Sequence, residues 1–211
     1  MADVVECVPN VSEGRNQDVI DRIVAAAARH EGIVVLGVEP DADYNRTVIT
    51  FAGPANLVEL AAVDLSIEAI RSIDMRQHSG EHPRLGAVDV CPFVPIRGID
   101  MKACAAIAER VAKAVHDQTG APTFLYGAAA REPGRKKLSD LRRGEYEGLQ
   151  KRLEGGEDRM PDFGSERGWS DEAASAGGCT FGARPVLVAY NVNVPEPEAV
   201  VAKHIGSIVR G

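Results

Sequence analysis

The sequence predicts an α+β fold, a mixed β-sheet with helices packed on one face. Three observations carry this. Short β-branched runs alternate with long segments whose apolar residues recur at helical spacing, in the order β-α-β-β-α-β-α-β over the first 126 residues. The two βαβ-like units are joined through a hairpin, the split arrangement of ferredoxin-like folds. No G-x-G-x-x-G or Walker pattern follows any strand, which argues against a doubly wound nucleotide-binding sheet.

The first strand, 4–9, ends in Asn10-Val11-Ser12-Glu13-Gly14, a cluster of turn-forming residues that either furnishes a site at the strand's end or only satisfies local backbone. From 17 to 30 the apolar arc Val19, Ile20, Ile23, Val24, Ala27 opposes Asp18, Asp21, Arg22, Arg29, with Asn16 as N-cap and His30 as a cation at the C-terminal dipole. Strands follow at 33–38 and 45–51, separated by the turn-rich Pro40-Asp41-Ala42-Asp43. Pro54 opens a helix at its first position, reaching 73. A strand at 87–94 and a turn at Arg97-Gly98 lead to a helix from 100, whose buried face includes Cys104, Ile107 and Val111 and whose solvated face includes His116. A strand at 123–126 closes this part. Beyond it the sequence predicts a helix from Glu145 onward, a long loop over 154–178, a strand at 185–194 and a helix at 196–210.

Composition narrows the function classes. With 45% hydrophobic and 26% charged residues in 211, the chain is an ordinary globular one with room for a sizeable core. A net charge of −7 disfavours nucleic acid and anionic membranes as partners. No apolar run reaches membrane-spanning length and the N-terminal stretch lacks a basic signal-peptide region, so the expectation is a cytoplasmic protein. Cys7, Cys91, Cys104 and Cys179 are too widely spaced for a zinc knuckle or a disulfide framework.

Chemistry concentrates in 74–95, where His78, His82, Arg76, Arg84, Asp74, Glu81 and Asp89 crowd a loop between a helix and a strand. Pro83 drives His82 out of the α region and Gly80 weakens any helix through it. That removes the helical face which the zinc-peptidase pattern H-x-x-E-H, matched by His78 to His82, would require, and no metal is expected. His82 is either a proton-transfer group or a histidine bonded only to backbone. Between Arg131 and Arg152 the chain turns basic, which reads either as a solvated helix face or as an attractor for anions. Phe163 and Trp169, in the long loop, either cover a flat ligand or pin the loop to the body.

Several longer stretches together resemble the glutamate formiminotransferase family, in particular its N-terminal subdomain. They are VECVPNVSEGRN, NRTVITFAG, GEHPRLGAVDVCPFVPIRG, LRRGEYEGL, PDFG and GARPVLVAYNVN, in that order and across nearly the whole chain. The resemblance implies transfer of a formimino group from N-formimino-L-glutamate to N5 of tetrahydrofolate, the co-substrate, in histidine breakdown. It makes His82 the catalytic residue and places folate contacts at Asp162, Phe163, Gly164, Ser165 and Trp169. Arg84, Arg46, Arg135, Asn10 and Asn45 become candidates for binding the substrates, the arginines because a guanidinium grips a carboxylate bidentately. Asp74, Glu81 or Asp89 would orient the histidine.

The same resemblance implies two α/β subdomains whose sheets enclose the folate. Residues 1–181 would be the first and 182–211 the start of the second, and a sheet face left uncovered would invite self-association. Two other functions fit the same features. One is a folate-dependent transferase or ligase with another one-carbon donor, such as formylglutamate; the other is a non-catalytic folate-binding protein.

Overall fold

In a computed structural model the described residues are 3–155, 160–187, 204 and 206. The strands are β1 (Val4–Cys7), β2 (Asn10–Val11), β3 (Val34–Asp41), β4 (Arg46–Gly53), β5 (Val88–Arg97), β6 (Thr123–Gly127) and β7 (Cys179–Ala183). The helices are α1 (Gln17–Ala28), α2 (Ala55–Ser72), α3 (Met101–Thr119), α4 (Leu138–Leu141), α5 (Leu149–Gly155) and α6 (Asp171–Ala176). No helix among them is long and apolar enough to cross a membrane.

One mixed sheet organises these elements. β1 and β2 are two parts of one interrupted strand, each antiparallel to β4 on one side and β5 on the other. β3 extends the sheet beyond β4, and β7 and β6 extend it beyond β5 in parallel. The first five strands, with α1 and α2, thus have the split βαβ order the sequence predicts.

Side-chain alternation decides what covers each face. Val5, Cys7, Ile49, Phe51, Phe93, Leu125 and Phe181 point to one side, where α2 brings Leu65 and α3 brings Val111 to a common core. Caps hold these helices: the Asn16 side chain accepts from Val19 N–H, that of Asp100 from Ala103 N–H, and Gly120 ends α3 in the left-handed conformation. Pro54 differs from expectation: it stands at the N-cap of α2 and contributes no capping hydrogen bond.

Helices do not occupy one face alone. Phe124, Tyr126 and Val90 point to the opposite side, where Leu141, Leu149 and Leu153 of α4 and α5 bury them in a second cluster. Over β4 and β2 none of the described helices covers that face, and there the cavity described below lies.

Other departures have local causes. The helix expected from Glu145 begins at Leu149, because Tyr146 N–H is drawn to the Arg84 carbonyl and Glu145 takes a positive φ of 52°. The stretch 154–178 carries α6, capped by the Ser170 hydroxyl, and a 3-10 turn at Ser165–Arg167. β7 lies upstream of the strand expected at 185–194: Pro185 to Leu187 form no strand, and the rest of that strand, like most of the helix expected at 196–210, lies outside the described residues. His116 is buried, not solvated; its Nδ1 donates to the Ala121 carbonyl.

Candidate active site

The loop 74–87 connects α2 to β5 without a helix, so His78 and His82 do not share a helical face. The two histidines are used differently. His78 Nε2 lies 3.0 Å from the Asn45 carbonyl, which can only accept, and its Nδ1 lies 3.3 Å from Arg84 Nε, which can only donate. Both nitrogens are therefore committed in a neutral, Nε2-protonated ring. Burial, foremost, pushes its pKa below the ordinary histidine value.

His82 makes no hydrogen bond to a described residue through either nitrogen. It lines a cavity of about 810 Å³ on the open sheet face, with 15% of its side chain exposed. Tyr44 meets its ring edge-on at 6.2 Å between centroids. Desolvation, followed by the guanidiniums of Arg142 and Arg46, lowers its pKa to about 4, so it is neutral at pH 7.

Among the three acids that could orient His82, Asp89 stands nearest. Asp74 is taken by Arg76, which holds its carboxyl below the usual range, and Glu81 is exposed. Asp89 is fully buried, with Oδ2 3.8 Å from His82 Nδ1, an electrostatic contact beyond hydrogen-bond length. A β-bulge places it there: Asn10 opposes Val90 and Val11 opposes Val88, so Asp89 is the unpaired residue between them. Its Oδ1 accepts from Leu85 N–H and from Arg142 Nε, both at 3.1 Å, and Arg142 Nη2 closes on its Oδ2. Burial raises the Asp89 pKa while Arg142 opposes that rise.

Asn10 and Arg46 lie in the same cavity, joined by a 2.9 Å hydrogen bond from Arg46 Nη1 to Asn10 Oδ1. Arg184 and Lys136 also line it, against the carboxylate of Glu39. Arg46, Arg184 and Lys136 have no carboxylate partner among the described residues, whereas Arg142 is neutralised by Asp89. Apolar walls come from Val48, Val90, Pro92 and Leu138. The cavity therefore offers a neutral imidazole, uncompensated cations and apolar surface, a combination suited to a partly flat, anionic small molecule, in the roughly 300–1,000 Å³ size class of such sites.

Residues 4–184 match the family model described as "Formiminotransferase domain, N-terminal subdomain". The chain belongs to this family. It is similar to the glutamate formimidoyltransferase of Streptococcus pyogenes serotype M1, 43% identical over all of this chain and 69% of that protein. It is likewise similar to the pig formimidoyltransferase-cyclodeaminase, 46% identical over 92% of this chain and 35% of that protein, and to the glutamate formimidoyltransferase of Thermoplasma acidophilum, 39% identical over 98% of this chain and 67% of that protein.

Of the formiminotransferase residues expected at the site, the structure brings His82, Asn10 and Arg46 together and leaves the others apart. Arg84 is turned away: its Nη1 and Nη2 donate to Glu147 at 2.9 and 2.7 Å, and Glu145 completes its shell. Arg135 is buried against Asp162 at 2.6 Å, and Asp162 also accepts from Leu125 N–H. Those bonds, with Thr123 N–H donating to the Phe163 carbonyl, fasten the loop of Asp162, Phe163, Gly164 and Ser165 to the outer edge of β6. Gly164 packs on His116, and Trp169, packed against the second cluster, stands beside Tyr146. Neither that loop nor Trp169 lines the His82 cavity. Asn45 is a structural tie, accepting from Gly14 N–H and donating to the Ser79 carbonyl.

Sequence reasoning passed over Arg184, Tyr126 and Glu39, all lining residues. Arg142 sat within the basic stretch and could be singled out only by its partner, Asp89. The visible signal for Arg184 was its place as the arginine of the Gly182-Ala183-Arg184 motif, directly behind a buried strand.

Proposed function

We propose that this chain is a cytoplasmic transferase that moves the formimino group of N-formimino-L-glutamate to N5 of tetrahydrofolate, with His82 as general base and acid. The observation that carries the reading is His82 itself, neutral and without a hydrogen bond to a described residue, in a cavity where Arg46, Arg184 and Lys136 have no carboxylate partner among the described residues. In the forward step N5 attacks the formimino carbon as His82 takes the N5 proton. As the tetrahedral intermediate collapses, the carbon–nitrogen bond to glutamate breaks and the imidazolium returns that proton to the departing nitrogen. Base and acid catalysis of this kind is worth roughly 10²–10⁴ in rate.

The resting pKa suits the second half of this cycle better than the first. An imidazolium at a depressed pKa is a strong acid, ready to release its proton to the leaving amine. Substrate carboxylates settling near Arg46 and Arg142 would screen the two guanidiniums that depress it and make the ring a better base when the complex forms. Asp89 would hold the ring's Nδ1 side and stabilise the imidazolium. Asn10 and Arg46 would bind a substrate carboxylate. The residues after β7 would lead into a second subdomain that covers this sheet face over the folate.

The test is to incubate the 211-residue chain with tetrahydrofolate and formiminoglutamate and follow formimino- and methenyl-folate. Turnover that falls by at least about 10²-fold in His82→Ala, with folded stability kept, is the expected result. Folate binding without turnover in the unaltered chain would point instead to a non-catalytic folate-binding protein.

A further inference from the structure

One group in the cavity has no part in the steps above. Tyr126, on β6, lines the cavity and is only 5% exposed, yet its hydroxyl makes no hydrogen bond to a described residue. A buried tyrosine hydroxyl ordinarily finds a partner, and the cavity this residue lines can supply one from a bound ligand.

The ring is held in a seat made for it. A Cβ on Gly182 would come within 2.7 Å of Cδ1 and Cε1 of Tyr126, so glycine in β7 is what lets the ring lie against the neighbouring strand. The hydroxyl is fixed as a donor: burial, foremost, drives its pKa far above the ordinary tyrosine value, and the fields of Arg184 and Arg142 oppose this without reversing it. Arg142 is spent on Asp89, which leaves Arg184 as the uncompensated cation acting on the hydroxyl.

We propose that Tyr126 and Arg184 form a subsite for one carboxylate of the amino-acid donor, the hydroxyl and the guanidinium each binding that carboxylate. The inference rests on the transferase reading for the identity of the donor. Tyr126 and Arg184 line the same cavity as His82, and the donor is the smaller substrate, its carboxylates carried on the short skeleton that bears the reacting nitrogen; the two KM values separate it from folate.

The experiment titrates L-glutamate, the leaving group, into the unaltered chain, Tyr126→Phe and Arg184→Gln by calorimetry, and measures steady-state KM for both substrates. Both variants should bind L-glutamate on the order of tenfold more weakly and raise KM for formiminoglutamate similarly, with KM for tetrahydrofolate unchanged. Tyr126→Phe keeps the ring in its glycine seat, so its thermal midpoint should match that of the parent; if its stability is lowered, Arg184→Gln, at a half-buried position after β7, carries the same test. Equal L-glutamate binding by parent and Tyr126→Phe overturns the subsite even if turnover proceeds normally. Loss shared equally by both substrates' KM overturns it too. Absence of turnover in the parent, with L-glutamate binding still sensitive to Tyr126, would instead remove the transferase reading and leave the carboxylate subsite standing.

Discussion

His82 is held uncharged by its surroundings, and that has a measurable consequence for stability. Its ordinary pKa of ~6.5 drops to about 4 in the folded chain. Between those values the unfolded chain binds more protons than the folded one, so stability is full above pH 6.5 and declines as pH falls toward 4. The decline attributable to this ring is at most ~3 kcal/mol. His82→Asn should therefore lose less stability than the parent between pH 7.5 and 4.5; identical losses in thermal midpoint would show that the ring is not desolvated as described. The slope will not vanish, since His78 shifts in the same direction. Asp89 gives a second prediction. Asp89→Asn strips Arg142 of its counter-charge inside the protein, a change expected to cost ~3–5 kcal/mol by urea unfolding. It also leaves an unbalanced cation near His82, lowering the ring's pKa further. Arg142→Met in the Asp89→Asn background should recover much of the lost stability, and a purely additive double variant would deny the coupling. His82 was visible in the sequence as a loop histidine fixed by Pro83. Which of three acids faces it was not, because the choice depends on a single bulged residue in β5 and on a cation 53 positions away in sequence.

The elements show where local signals suffice. Alternation marked β1 and β4, helical periodicity marked α1 and α3 and the Gly53-Pro54 start marked α2, whereas β3 was legible only as an apolar run, and none of its residues is buried. β7 escaped because Gly177-Gly178 before it and Gly182 within it look like a turn. α6 escaped because six residues are too few to show a period. The loop carrying Asp162 illustrates the opposite failure: its motif was visible but its destination was not, since that depends on Arg135 and the edge of β6. The cap of α3 offers a test at this scale. Asp100 accepts from Ala103 N–H at 2.7 Å, on the helix that backs β5, β6 and β7. Asp100→Ala should lower unfolding free energy by ~0.5–2 kcal/mol while leaving kcat and both KM values unchanged, because nothing in the cavity touches that end of α3. A change in KM at full folding would mean that α3 transmits strain to the site through β7.

At the scale of the whole molecule two charge patterns oppose each other. The chain carries −7 overall, so at long range it repels the dicarboxylate it is proposed to bind. Among the described residues that line the cavity, Arg46, Arg184 and Lys136 outnumber the one carboxylate, Glu39, and at short range attraction wins. Salt acts on both, but unequally: the Debye length of ~8 Å at physiological ionic strength already screens the distant acids while the partly buried cations still act. Raising ionic strength from ~0.02 to ~0.3 M should therefore raise KM for formiminoglutamate several-fold, since the remaining interaction is the attractive one. Arg46→Gln should flatten that dependence, because it deletes one cation without removing an ion pair; its only described side-chain partner is Asn10. A KM that falls as salt rises would mean that the net negative charge governs approach and that the cavity cations do not select the substrate. The sequence carried both charge patterns, the overall acidity and the basic stretch between Arg131 and Arg152. Yet of that stretch only Lys136 and Arg142 reach the cavity; Arg135 is spent on Asp162, and the cations that matter most come from β4 and from the end of β7.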